Sequence, residues 1–123
     1  MGSIYTLIPR PVGLFAGLDI NTRYAFGLIY DRWQLSNRKA NRERFTDQHG
    51  VYCSFSRDSL ASEMGVSLPT LRACVSTLVR RDIIRSRIPD PGSAWRYYMP
   101  EDTVEYFADN ELWWLGSETT PRP

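Results

Sequence analysis

The chain has 123 residues, 42% hydrophobic and 24% charged, with two cysteines, one histidine and a formal net charge of +1. That length suits one domain with a single core and no need of disulfide or metal support, and it excludes several independently folding units. The near-neutral total hides a split, because residues 1–100 carry 14 basic and 8 acidic side chains (+6) and residues 101–123 carry 1 basic and 6 acidic (−5).

Residues 1–20 read as an arm. Tyr5, Leu7 and Ile8 are mixed with Pro9, Pro11 and Gly13, which predicts a short extended segment followed by a turn or brief helix. Such an arm either packs on its own domain or pairs with a second copy, and Tyr5, Leu7 and Ile8 are the candidates for a dimer contact. Asn21 or Thr22 can then cap a helix running through Leu35, with Tyr24, Leu28, Asp31 or Arg32 and Leu35 marking its turns and Ala25, Phe26 and Ile29 widening the apolar face. Residues 36–48 are too hydrophilic for a core. They set Arg38, Lys39, Arg42 and Arg44 against Glu43 and Asp47, and are expected to form a surface loop able to meet a phosphate backbone. Gly50 precedes the short β run Val51-Tyr52-Cys53-Ser54-Phe55.

From 56 to 98 the order is helix, glycine turn, helix, strand, Pro/Gly-rich turn, strand. Ser56 stands as an N-cap, Leu60, Ala61 and Met64 share one face, and Gly65 closes the segment. Ser67 is a second N-cap with Pro69 in the first turn, and Leu71, Cys74 or Val75, Leu78 and Val79 repeat at helical steps. The opposite face of that second helix shows Ser67, Thr70, Arg72, Ala73, Ser76, Thr77 and Arg80. Small side chains there allow close approach to base edges, while arginine reaches guanine or phosphate. Two strand candidates, 83–88 and 94–98, flank Pro89-Asp90-Pro91-Gly92-Ser93 as a wing. Arg85, Arg87 and Arg96 beside Trp95 are placed to straddle a backbone or enter a minor groove, and Arg57 joins the backbone candidates. Fourteen of the 15 basic residues are arginine, which favours bidentate pairing with phosphate or guanine.

Glu101 and Asp102 open a helix expected to run through Trp114, their charges agreeing with its dipole. Tyr106, Phe107, Leu112, Trp113, Trp114 and Leu115 make it a core-covering element or a partner surface, and residues 116–123 are expected to be a disordered tail. The division is therefore arm 1–20, DNA-binding domain 21–100, terminal helix 101–115 and tail 116–123. The fold class is α+β, a winged helix-turn-helix with a small antiparallel sheet, an extra N-terminal arm and a C-terminal helix.

Catalytic chemistry finds no constellation here. His49 is the single histidine, Cys53 and Cys74 lack metal-ligand spacing, and no glycine-rich phosphate loop occurs. Neither enzyme activity nor a cofactor is expected. The lone cysteines fit free thiols in a reducing cytoplasm, and no apolar run approaches the roughly 18 residues of a membrane span, so a cytoplasmic protein without membrane partners is expected.

In three stretches the chain resembles the N-terminal domain of the RepA_N family of plasmid replication initiators. They are Tyr30-Asp31-Arg32-Trp33-Gln34-Leu35-Ser36, then Asp47-Gln48-His49-Gly50-Val51-Tyr52, then the helix pair with Leu78 through Ile84. The resemblance covers residues 5–99. It implies an origin-binding domain that recognises repeated double-stranded plasmid sites as a homodimer. Replisome proteins would be engaged through a separate C-terminal region absent from this chain. The recognition helix departs from the family in having no lysine between residues 68 and 81, and the acidic aromatic end lies outside the pattern. A winged-helix transcriptional repressor and a winged-helix protein-interaction module are the other readings of the same elements.

Overall fold

The computed structural model describes residues 6–109. Helix α1 (Ile20–Ser36) is followed by strands β1 (Thr46–Asp47) and β2 (Gly50–Phe55), and then by helices α2 (Arg57–Met64) and α3 (Leu68–Arg80). Strands β3 (Arg85–Arg87) and β4 (Trp95–Tyr98) and helix α4 (Glu101–Asp109) complete the order. The four strands form one antiparallel sheet in the order β1-β2-β4-β3, with α1 packed on β2 and β4 and with α2 and α3 packed on α1 and on each other. The result is the expected α+β winged helix-turn-helix.

Helix α1 is the central element. Ala25, Phe26, Leu28, Ile29, Tyr30 and Trp33 are all buried, because α2, α3, β2 and β4 contact it on several sides. Its cap is Asp19, not Asn21 or Thr22. The Asp19 carboxylate accepts the Thr22 amide at 2.8 Å, and hydrogen bonds from Thr22 hold that carboxyl below its ordinary value. Thr22 itself is buried inside the first turn. Trp33 donates its indole N–H to the Val51 carbonyl at 3.0 Å and so fixes α1 against β2.

The helix-turn-helix is closed by local chemistry. The Ser56 hydroxyl accepts the Ser59 amide at 3.0 Å, and the Ser67 hydroxyl accepts the Thr70 amide at 3.3 Å. Gly65 adopts φ 74° between the helices, where a side chain would be strained. Helix α3 ends with Asp82 at φ 55° and the Ile83 amide bonded back to the Leu78 carbonyl at 3.0 Å. That turn buries Ile83 and Ile84 in the core. The strand that follows is therefore only three residues long, shorter than the predicted 83–88.

The arm lies on its own chain. A Cβ at Gly27 would stand 2.6 Å from the Leu7 carbonyl oxygen, so the arm approaches α1 to a distance only glycine permits. Thr6 donates its hydroxyl to Asp31 at 3.0 Å, and Arg23 donates to the Pro9 carbonyl at 3.2 Å. Leu7 and Ile8 are half-buried there, while Tyr5 lies outside the described residues. The short 3-10 helix Gly13–Phe15 is clipped to the end of α3 by Arg81, which donates to the carbonyls of Leu14 and Ala16.

Helix α4 covers the far side of α1. Phe107 is buried against Phe15, Phe26 and Tyr30 with ring centroids 5.7, 5.5 and 5.2 Å away, and Thr103 donates to the Ile83 carbonyl at 2.8 Å. The described part of this helix is thus a core-covering element. Trp113, Trp114 and the tail 116–123 lie outside the described residues. Among the described residues no helix is long and apolar enough to cross a membrane.

Candidate nucleic-acid interface

Helix α3 turns a polar face outward. Arg72, Ala73, Ser76 and Arg80 are exposed, and Thr70 and Thr77 are half-buried. The two halves of this face differ. Toward the C-terminus, Arg80 donates to the hydroxyls of Ser76 at 3.2 Å and Thr77 at 3.3 Å, and Thr77 donates to the Ala73 carbonyl at 3.0 Å. Toward the N-terminus, the Ser67 hydroxyl is occupied by capping and by donation to Thr70 at 2.9 Å. Arg72 has no hydrogen bond or ion pair among the described residues. Its guanidinium, beside the small side chain of Ala73, is left with all its donors available on the outer face of the helix.

The wing is fastened by two arginines that were candidates for backbone contact. Arg57, at the start of α2, stacks 4.0 Å over the Trp95 ring and donates to the Tyr97 hydroxyl at 3.1 Å. Because Trp95 pairs with Phe55 across β4 and β2, this contact braces the base of the wing turn against α2. Arg96 stacks 4.2 Å over Tyr52 and pairs with Asp47 at 2.8 Å. Both guanidiniums hold structure first, and what they offer a ligand is their remaining edge. Arg87 sits half-buried on β3, and its Nη1 is a buried donor with no partner among the described residues.

The loop arginines divide in the same way. Arg42 turns back to donate to the Asn37 carbonyl through both Nε and Nη2, at 3.0 and 2.9 Å, and closes its own loop. Arg44 lies 5.2 Å over the Phe45 ring. Arg38 and Lys39 are exposed with no partner among the described residues.

Asp47 is the residue that charge counting missed. Its carboxylate accepts from the His49 amide at 2.7 Å, from the Tyr98 hydroxyl at 2.6 Å and from Arg96, so it ties the β1–β2 turn to β4. The signal was present as an aspartate two residues before an amide it can bond, just ahead of Gly50 at φ 115°. Burial alone would raise this carboxyl, but the bonds from Tyr98, His49 and Arg96 outweigh it and hold it below its ordinary value. Burial, reinforced by Asp47, pushes the Tyr98 hydroxyl up to about 12.

A depressed carboxylate stabilises the fold above its unfolded-state value and loses that contribution as pH falls through the folded-state value. Asp47→Asn is accordingly expected to cost about 1–2 kcal/mol at pH 6–8, where an ionised acceptor is lost. The difference from the parent chain is expected to shrink steadily below about pH 4. Urea denaturation of both chains at intervals from pH 2 to 8 checks this, and a difference that stays constant through that range would contradict it.

The thiols offer no reactive group. Burial pushes Cys53 up to about 12 and raises Cys74 as well, which leaves both as protonated core residues. Among the described residues no group of three or more His, Cys, Asp or Glu side chains is placed to hold a metal ion.

No known protein family and no curated protein matches the chain in sequence. Solved structures do match its fold. One described as the N-terminal domain of a DNA-binding protein superposes with a TM-score of 0.59 at 15% identity, covering 97% of this chain and 89% of the other. Another, described as the structure of a Rep-DNA complex, gives a TM-score of 0.58 at 16% identity and covers 87% of each chain. At such identities the likeness is one of fold.

Proposed function

We propose that this domain binds double-stranded DNA sequence-specifically, with α3 in the major groove. On this reading Thr70, Arg72 and Ala73 lie nearest the bases, while Arg38 and Lys39 meet the phosphate backbone together with the outer edges of the wing arginines. The observation that carries the reading is the free Arg72 guanidinium on the open N-terminal half of a capped second helix. The fold likeness to a chain seen in a Rep-DNA complex supports it. The domain acts by binding and not by catalysis, and needs no cofactor.

The finer assignment is recognition of repeated plasmid origin sites by a replication initiator, with two copies on neighbouring half-sites. It is supported by the likeness of the Tyr30–Ser36 and Asp47–Tyr52 stretches to the RepA_N pattern. A single module of this kind buries on the order of 600–1,000 Å² on DNA, so a second copy is what makes binding tight. The arm already serves its own α1. Its deletion therefore tests the dimer only in a chain that still folds.

Selection of duplexes from random DNA, followed by titration at several salt concentrations, tests the proposal. Affinity is expected to fall steeply with salt. Arg38→Ala and Lys39→Ala are each expected to flatten the slope of log K against log[salt] by about 0.9, the value of one phosphate contact. Arg42→Ala is expected to change the slope less, because its guanidinium is committed to the Asn37 carbonyl. No enrichment of any duplex in the selection would end the DNA reading.

A further inference from the structure

Cys53 and Tyr97 point from the sheet into the core, where Cys53 bonds to the Ile29 carbonyl, so their neighbours along β2 and β4 turn to the opposite face. The register sets Arg85 opposite Tyr98 and Arg87 opposite Arg96 on that outer face. A cavity of about 370 Å³ lies over it, lined by Tyr98, Arg85 and Arg87 together with apolar surface from Val79, Met99 and Pro100. The charges there do not balance. Two arginines and one aspartate line the cavity, and Asp82 pairs with Arg85 at 3.2 Å, while Arg87 makes no hydrogen bond or ion pair among the described residues. Asp47 is already taken up by Arg96 at 2.8 Å and by the Tyr98 hydroxyl. One half-buried positive charge is left over, beside apolar surface that includes Val79 at 37% exposure. Half-burying a guanidinium costs free energy that an anion beside it offsets.

We propose that this cavity binds a small organic carboxylate, with its head on Arg87 and an apolar body against Val79, Met99 and Pro100. The single surplus charge matches a monoanion, whereas a phosphomonoester would bring a second negative charge with no cation to meet it. The head meets the part of the Arg87 guanidinium that lines the cavity, and the buried Nη1 is not involved. The volume falls within the roughly 300–1,000 Å³ of small-molecule sites, so an inorganic ion alone would leave the apolar surface in water. Duplex DNA is not the expected occupant. The Arg85–Tyr98 pair closes the β3–β4 ladder at the end away from the wing turn, and Val79 lies roughly 13 Å along α3 from Thr70, in the half assigned to the bases.

The test titrates the isotope-labelled full chain with acetate, naphthoate and methyl naphthoate and reads amide shifts by NMR. Saturable shifts at Ser86, Tyr98 and Met99 are expected with naphthoate. Acetate, which lacks the apolar body, and methyl naphthoate, which lacks the charge, are each expected to bind more weakly by about tenfold or more. Arg87→Gln is expected to weaken naphthoate to a similar degree. The comparison among probes uses the unaltered protein, so a folding defect in the variant cannot imitate it. Absence of saturable shifts with naphthoate, shifts confined to other amides, or equal binding of the ester would overturn the proposal. Shifts at the same three amides with a selected duplex, and none with naphthoate, would overturn it as well and assign the cavity to the DNA backbone.

Discussion

Phe107→Ala is expected to lower the unfolding free energy by about 3–5 kcal/mol. The ring is 6% exposed and sits among Phe15, Phe26, Tyr30 and Tyr106, so its removal leaves a cavity bordered by rigid aromatic faces that cannot collapse into it. Phe107 is the buried anchor of α4, which is also held by the Thr103 bond to the Ile83 carbonyl, by Tyr106 edge-on to Phe15 at 6.2 Å and by Val104 packed on the core. Small domains are stable by roughly 5–15 kcal/mol in total, so this loss would bring the fold near its threshold. Urea denaturation followed by circular dichroism measures it. A change below about 1 kcal/mol would mean that α4 is a detachable appendage and that the core closes without it.

The elements legible in the sequence are those determined by chemistry within four residues. Ser56, Gly65, Ser67 and Pro69 announce the helix pair because a cap or a left-handed turn needs no distant partner. Where several polar residues compete, the local signal is degenerate. Asp19, Asn21 and Thr22 all suit an N-cap, and the choice falls to Asp19 because the helix must begin early enough to bury Thr22 and Ala25 against the core. Strand β1 has two residues and no hydrophobic alternation, and it exists through the hairpin with β2 and the grip of Arg96 and Tyr98 on Asp47. Gly27 was visible as a helix glycine, yet its reason is the Leu7 carbonyl 20 residues away in sequence.

The basic residues show the same limit for function. Counting charge treats Arg57, Arg96, Arg42 and Arg81 like Arg38, Lys39 and Arg72. In the fold the first four are committed to aromatic rings, a carboxylate and carbonyls, and the last three are not. A guanidinium has five donors and a flat face, so it can serve structure as readily as a ligand. Only tertiary contacts decide which.

That distinction sets the expected behaviour of the recognition helix. Arg72→Ala is expected to weaken binding to the selected duplex by about 1–3 kcal/mol, roughly five- to 150-fold, and to relax specificity at one base pair. Stability should change little, because the side chain is exposed and engages nothing among the described residues. Arg80→Ala is expected to act differently. Its guanidinium is held by Ser76 and Thr77, so its loss should weaken cognate and random duplexes alike and by less. Competition titrations of both variants against the selected and a scrambled duplex separate the two roles. If Arg72→Ala lowers affinity for both duplexes by the same factor, Arg72 is a backbone contact and base reading must lie elsewhere on α3. If it lowers neither, the free guanidinium that carries the DNA reading is outside the interface, and α3 does not enter the groove by its N-terminal half.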